Sequence, residues 1–341
     1  METSIPSSPS EPPKFDINQG DLISQLSEKN CYNIGGLKIT RWGDNNKEIT
    51  YFGDFEMNNN KFLGILNASL QKDGYGKWEF PNGEKFFGMF LNDTFNKHGL
   101  YYFPPKANET GQLMTEYYFG LFKNGKKFDH GVYLWLKENN GQRFDDFDNT
   151  SFDCYIGKIG DDRFTHGTYL IKKENEFYLY HGGFNTTTQK VEGNHCYFYN
   201  AQKDSLIYGK IINAHFVKSY YASFDEEGEL KLFFYTESDK DGNVVLLKPN
   251  SEIQNREKII KEMSDFRNII LCEDYFTTTF DLFKNSTEYL RTNLKPETFN
   301  STDSFADLMQ VSFEFNKAKI YNDIENVLNI EEKEKSGVEI E

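Results

Sequence analysis

Cysteine is scarce in this sequence. Cys31, Cys154, Cys196 and Cys272 are the only four in 341 residues, and no two are spaced as a C-x-x-C metal or redox pair. Scattered thiols of this kind are expected to stay reduced, as in a cytosolic compartment. Long apolar runs are absent too. Nothing approaches the length of a membrane-spanning helix, and the N-terminal stretch METSIPSSPSEPPKF has no apolar core like that of a signal peptide, so a soluble, cytoplasmic chain is expected. Positive charge is in deficit: 38 Lys and Arg face 53 Asp and Glu, for a net charge of −15. Such a field repels nucleic-acid phosphates and disfavours anionic membranes, so neither is the expected partner.

Aromatic residues, by contrast, are abundant. Phe (32) and Tyr (21) dominate over Trp (3), and aromatics make up 16% of the chain, a bias that favours strands. They are also periodic. A first pattern, aromatic-x-Gly-x-apolar, centres on Gly53, Gly64, Gly88, Gly120, Gly157, Gly182 and Gly209. A second, Gly-x-aromatic-x-apolar, follows at Gly76-x-Trp78, Gly99-x-Tyr101, Gly131-x-Tyr133 and Gly167-x-Tyr169. Degraded copies follow at His195-x-Tyr197 and Ser219-x-Tyr221.

Alternation with period two makes each half a short strand, and turn signals such as Asn124-Gly125 and Lys97-His98-Gly99 lie between halves. Each unit therefore reads as a β-hairpin. Stacking hairpins is expected to align Trp78, Tyr101, Tyr133, Tyr169, Tyr197 and Tyr221 in one column, with the strand glycines leaving room for neighbouring rings.

These residues resemble the MORN repeat (membrane occupation and recognition nexus). Gly74-Tyr75-Gly76-Lys77-Trp78, Pro81-Asn82-Gly83 and Phe86-Phe87-Gly88 carry the resemblance most closely. Lys97, Asp129 and Thr165 stand where the repeat has its leading glycine, and Ser219 replaces a later one. The resemblance implies a mainly β fold: an elongated single-layer antiparallel sheet of stacked hairpins, followed here by C-terminal α-helices.

The expected organisation is a disordered tail (1–19), a short helix or linker (20–34), hairpin repeats (35–234), a terminal hairpin (235–250), a helical region (251–330) and a charged tail (331–341). Asp21 to about Lys29 is the candidate first helix. Leu230–Tyr235 and Val244–Leu247 flank Asp241-Gly242 as the last hairpin. Ser251 is the expected cap of a helix bearing Ile253, Ile260, Met263, Phe266 and Ile270, and two more helices align Phe276 to Leu294 and Leu308 to Val327.

Several stretches imitate reactive sites. Gly120-x-x-x-x-Gly125-Lys126 begins like a phosphate-binding loop, but Lys127 stands where a Mg²⁺-holding hydroxyl is required, and strand rather than helix is expected next. His98, His130 and His166 recur at equivalent positions, yet hairpins repeat about every 10 Å, too far for one ion with bonds of about 2 Å. Asp129 and His130 are neighbours whose side chains point apart in an extended chain. Glu237–Gly242 opens like a calcium loop, but its twelfth position is Lys248. Asp145–Asp148 and Asp161-Asp162 read as solvated turns.

No metal, cofactor or catalytic set is expected. The aromatic columns are the candidate partner-binding residues, either open to another protein or covered by the chain's own C-terminal helices. From the family resemblance comes the expectation of a non-catalytic scaffold in a ciliary (axonemal, radial-spoke-like) or cytoskeletal complex. An adaptor binding phosphoinositides or anionic lipid is the alternative, weakened by the net charge.

Overall fold

The computed structural model describes residues 7–10, 31–34, 37–44, 49–107, 111–137, 151–173, 176–239 and 242–271. The expected helix near 21–29, the two later helices, the acidic loop 145–148 and the charged tail lie outside the described residues. The chain divides into two compact units, whose described parts are residues 7–131 and 132–271.

The first unit contains β1 (Cys31–Ile34), β2 (Leu37–Asp44), β3 (Ile49–Met57), β4 (Asn60–Leu66), β5 (Lys72–Glu79), β6 (Lys85–Leu91), β7 (Thr94–Ala107) and β8 (Leu113–Lys123). Strand β9 (Lys126–Lys137) carries the chain into the second unit. There follow β10 (Phe152–Gly160), β11 (Arg163–Lys173), β12 (Glu176–Gly183), β13 (Gly193–Asn200), β14 (Ser205–Ile212), β15 (His215–Phe224), β16 (Leu230–Ser238), β17 (Val244–Pro249) and, among the described residues, one α-helix, α1 (Arg256–Ile270). The fold is mainly β, an antiparallel meander in which successive strands pair, as the repeat pattern leads one to expect. Residues 31–34, expected in a helix or linker, form a strand paired with β2.

Asn and Asp build the tight turns. Asn58-Asn59, Asn92-Asp93, Asn124-Gly125, Asp161-Asp162 and Asn213-Ala214 all have positive φ at both central residues, the I′ geometry that matches strand twist. Asn124-Gly125 thus joins strand to strand, and the phosphate-loop resemblance ends there. Lys97-His98-Gly99 is not a turn. It lies inside β7, where Lys97 (φ 55°) sits at an irregularity in the pairing with β6.

The glycines fall in register. Gly53, Gly64, Gly76, Gly88, Gly99 and Gly120 pair in succession across β3 to β8. In the second unit Gly157 pairs with Gly167, Gly167 with Gly182, and Gly209 with Cys196 and Ser219. Within each unit this row defines a glycine face and an opposite face. One ring lies over each pair: Phe62 over Gly64 and Gly76, Phe86 over Gly88 and Gly99, Tyr118 over Gly120 and Gly131, Tyr155 over Gly157 and Gly167. A Cβ at any of these glycines would come within 3.0 Å of that ring. For the first glycine of each pair that ring belongs to the same strand, two residues earlier; for the second it comes from the strand before, so these glycines do make room for a neighbouring ring.

Further rings pack on these. Phe95 stacks on Phe86 at 4.0 Å and Phe164 on Tyr155 at 3.8 Å, while Phe90 and Phe184 meet Phe62 and Tyr155 edge-on. Offset and edge-to-face pairs are the favoured arrangements of aromatic quadrupoles, so the abundant Phe and Tyr form a continuous core within each unit.

Helix α1 begins five residues later than Ser251, which lies in a single 3-10 turn (Asn250–Glu252); Asn255 caps it in a left-handed conformation. Asn tolerates that region better than most residues. The last hairpin forms as read, with Asp239 Oδ1 accepting from the Asn243 N–H at 2.9 Å, an Asp-centred turn in place of a calcium loop.

Candidate functional site

Two of the sheet's faces carry a covering segment, one in each unit. On the glycine face of the first unit lies Ser7–Ser10, part of the stretch expected to be a disordered tail. The Ser7 N–H and hydroxyl donate to the Glu116 carboxylate at 3.4 and 3.0 Å. The Ser10 N–H donates to the Tyr101 hydroxyl at 3.0 Å and to Glu84 at 3.3 Å, and Tyr101 in turn donates to Glu84 at 2.5 Å. Lys127 Nζ donates to the Ser7 carbonyl and sits 5.5 Å above the Phe103 ring and 5.6 Å above that of Tyr118. Main-chain groups of an extended segment are thus read by two carboxylates, a phenol and an ammonium. Burial holds the Tyr101 hydroxyl well above its ordinary range, reinforced by Glu84. Burial also raises the Glu116 carboxyl, against the opposing pull of Ser7 and Lys127.

The positions of these acceptors are systematic. Asn60, Glu84, Glu116 and Asp153 each stand two residues before a ring that covers a glycine pair, so alternation places them on the glycine face. Trp78 Nε1 donates to Asn60 at 3.2 Å, Tyr101 to Glu84, and Tyr169 to Asp153 at 3.5 Å. The full pattern, acceptor-x-aromatic-x-Gly, is legible in the sequence once the first position is included. Composition and glycine spacing alone do not expose it.

In the second unit, helix α1 covers the opposite face. Its buried residues are Met263, Phe266 and Ile270. Phe266 stacks on Tyr197 at 4.4 Å and lies 6.1 Å from His181. Arg267 makes a two-pronged contact with Asp204, Nε to Oδ1 at 2.8 Å and Nη2 to Oδ2 at 2.5 Å. Two hydrogen-bonded pairs lie beneath: Thr168 Oγ1 with His181 Nδ1 at 2.8 Å, and His195 Nδ1 with the Tyr208 hydroxyl at 2.7 Å. Burial drives the Tyr197 and Tyr208 hydroxyls far above their usual range.

Of the six expected column residues, Trp78, Tyr101, Tyr133 and Tyr169 lie on the glycine face and are buried, at 1% exposure or less. Tyr133 stacks on Trp135 at 4.5 Å. Tyr221 is also on that face, paired with Ile207 and stacked on Phe234 at 4.8 Å, but half-buried. Tyr197 is a correction. It pairs with His181 and Tyr208 on the opposite face, and Phe198, which pairs with Tyr180 and Ile207, holds the column position. Cys196, not His195, stands opposite Gly182 and Gly209, and a one-residue slip exchanges the faces of every side chain. The Tyr180 hydroxyl donates to the Cys196 Sγ at 3.2 Å, and Cys154 and Cys196 are buried thiols outside any disulfide.

Asp129 and His130 do not point apart. His130 Nδ1 lies 2.8 Å from Asp129 Oδ1, because Asp129 (φ 59°) breaks the extended geometry that would separate them. His166 lies beside His181, with rings 5.3 Å apart. Among the described residues, no cluster of three or more His, Cys, Asp or Glu side chains is placed to hold a metal ion, and no helix is long and apolar enough to cross a membrane. Neither any protein-family model nor any curated protein sequence matches this chain.

Proposed function

We propose that this protein is a non-catalytic scaffold of the MORN-repeat kind, a protein–protein interaction subunit of a ciliary (axonemal, radial-spoke-like) or cytoskeletal complex. The observation that carries this reading is the pair of covering segments. Ser7–Ser10 is held by its main-chain groups on one face, and an amphipathic helix is packed by aromatic stacking on another. Peptide recognition commonly uses these two modes, an extended segment read through its backbone and a helix laid on an apolar surface. A surface that already holds both kinds of segment from its own chain has the chemistry to hold them from a partner.

Proximity labelling of the tagged chain in cells, with imaging against ciliary and cytoskeletal markers, tests the assignment. Enrichment of axonemal or cytoskeletal proteins is the expected result. Labelling confined to membrane proteins, together with salt-sensitive sedimentation on anionic vesicles, would replace it with the lipid-adaptor reading.

A further inference from the structure

The strap Ser7–Ser10 has a spacing that matches the sheet beneath it. Glu116 on β8 and Glu84 beside β6 are separated by one intervening strand, β7, hence by two strand spacings, about 9.6 Å. Ser7 and Ser10, which contact them, are three residues apart, and three residues of an extended or polyproline-II chain span about 9–10 Å. The contacted groups are the N–H of residues 7 and 10. Pro9 has no N–H to offer, and the register asks for none there. In the sequence, prolines 6, 9 and 12 recur every third residue, and Pro6 and Pro9 each precede a serine whose N–H meets the carboxylate row. Polyproline II has three residues per turn, which brings the same side of the chain to each hairpin.

We propose that the cleft formed by Glu84, Tyr101, Glu116 and Lys127 is a binding site for proline-rich segments of three-residue period, and that residues 7–10 occupy it in cis. The carboxylates take N–H groups at positions i and i+3, Lys127 takes the carbonyl at i, and prolines fit between. The hydroxyl of Ser7 donates to Glu116, so phosphorylation of Ser7 replaces a donor with a dianion facing a carboxylate and expels the segment. Ser8 is exposed and tolerates the same charge. The strap therefore makes access to the cleft dependent on competition and on modification at one serine. This deepens the partner-binding reading above and does not depend on the cellular setting.

The test uses the full-length chain with Ser10→Pro, which deletes the N–H given to Tyr101 and Glu84 and leaves the cleft intact. A fluorescent peptide of residues 5–12, IPSSPSEP, is the probe, and near-UV circular dichroism verifies folding. The expected result is saturable binding about tenfold or more tighter to Ser10→Pro than to the unaltered chain, because the strap no longer competes. Phosphoserine at position 7 of the peptide, or a glycine inserted between positions 8 and 9, should weaken binding about tenfold or more, as should Glu116→Ala in the Ser10→Pro chain. Phosphoserine at position 8 should leave it unchanged. Equal binding to both chains, or binding indifferent to the inserted glycine, overturns the proposal. Either failure would concern this cleft alone and leave the proximity-labelling result standing.

Discussion

The ring of Phe266 lies on the ring of Tyr197, 4.4 Å between centroids and 20° from parallel. Both rings are fully buried, so this pair fixes where the helix rests on the second unit. Phe266→Ala removes the stack and leaves a cavity over Tyr197 and His181. The expected loss is about 3–5 kcal/mol of stability, read as a lower denaturant midpoint. Tyr197→Ala should cost a similar amount; a change within about 0.5 kcal/mol, typical of surface sites, would show that the helix is not seated there.

Acid should loosen the same helix. Burial alone would raise the Asp204 carboxyl, but the hydrogen bonds from Arg267 and Tyr199 and the Arg267 charge outweigh it and hold Asp204 below its ordinary 3.8. A depressed carboxylate contributes stability above the unfolded value, and that contribution is lost as pH falls through the folded one. The loss should therefore begin near pH 4 and deepen below it. Asp204→Asn should remove this part of the acid dependence while lowering stability at neutral pH. Monitoring amide exchange in residues 256–270 across pH 2–6 measures it; the same acid response in Asp204→Asn would assign the transition to other groups.

Two glycines separate steric from conformational demand. Gly99 lies under the Phe86 ring without positive φ, so Gly99→Ala acts by collision and should cost about 1–3 kcal/mol or more. Gly125 has open space around a Cβ but sits at φ +82°. Gly125→Ala should cost about 1–2 kcal/mol through backbone strain alone. Gly125→Asn should recover most of that, because Asn adopts the left-handed region, whereas Gly99→Asn should not recover at all. Thermal unfolding of the four variants tests the distinction.

Burial ranks the column tyrosines. Tyr133→Ala and Tyr169→Ala each delete a fully buried ring and should lose about 3–5 kcal/mol, the range for large aromatic truncations. Tyr221→Ala, half-buried against Phe234, should lose about 1 kcal/mol. A larger effect at Tyr221 than at Tyr169 in urea melts would contradict the ranking.

The strands were legible because glycine and aromatic residues alternate with a fixed period, and Asn-Gly marked one turn correctly. Legibility failed where the marker residue was missing. With Cys196 in place of a glycine, His195 appeared to head its strand, and the face of Tyr197 was inverted by one position. Lys97-His98-Gly99 looked like a turn because a bulge and a turn share a taste for positive φ. The strap was invisible for another reason: its contacts are mostly main-chain groups meeting Glu84, Glu116 and Lys127, residues about a hundred positions away, and the three-residue spacing of its prolines has a meaning only once that row of side chains is in place. For the buried helix, spacing revealed the apolar face, but its mooring, Asp204, lies in a short 3-10 connection that no periodicity announces.

The rings over the glycine pairs are not equivalent along the chain. Phe62 and Phe86 only fill space, whereas Tyr118, Tyr155 and Tyr180 also donate their hydroxyls to the carbonyls of Leu121, Lys158 and Gly183, each three residues further on. In mechanical terms these tyrosines are struts, each tying its ring back to its own strand, and the phenylalanines are spacers.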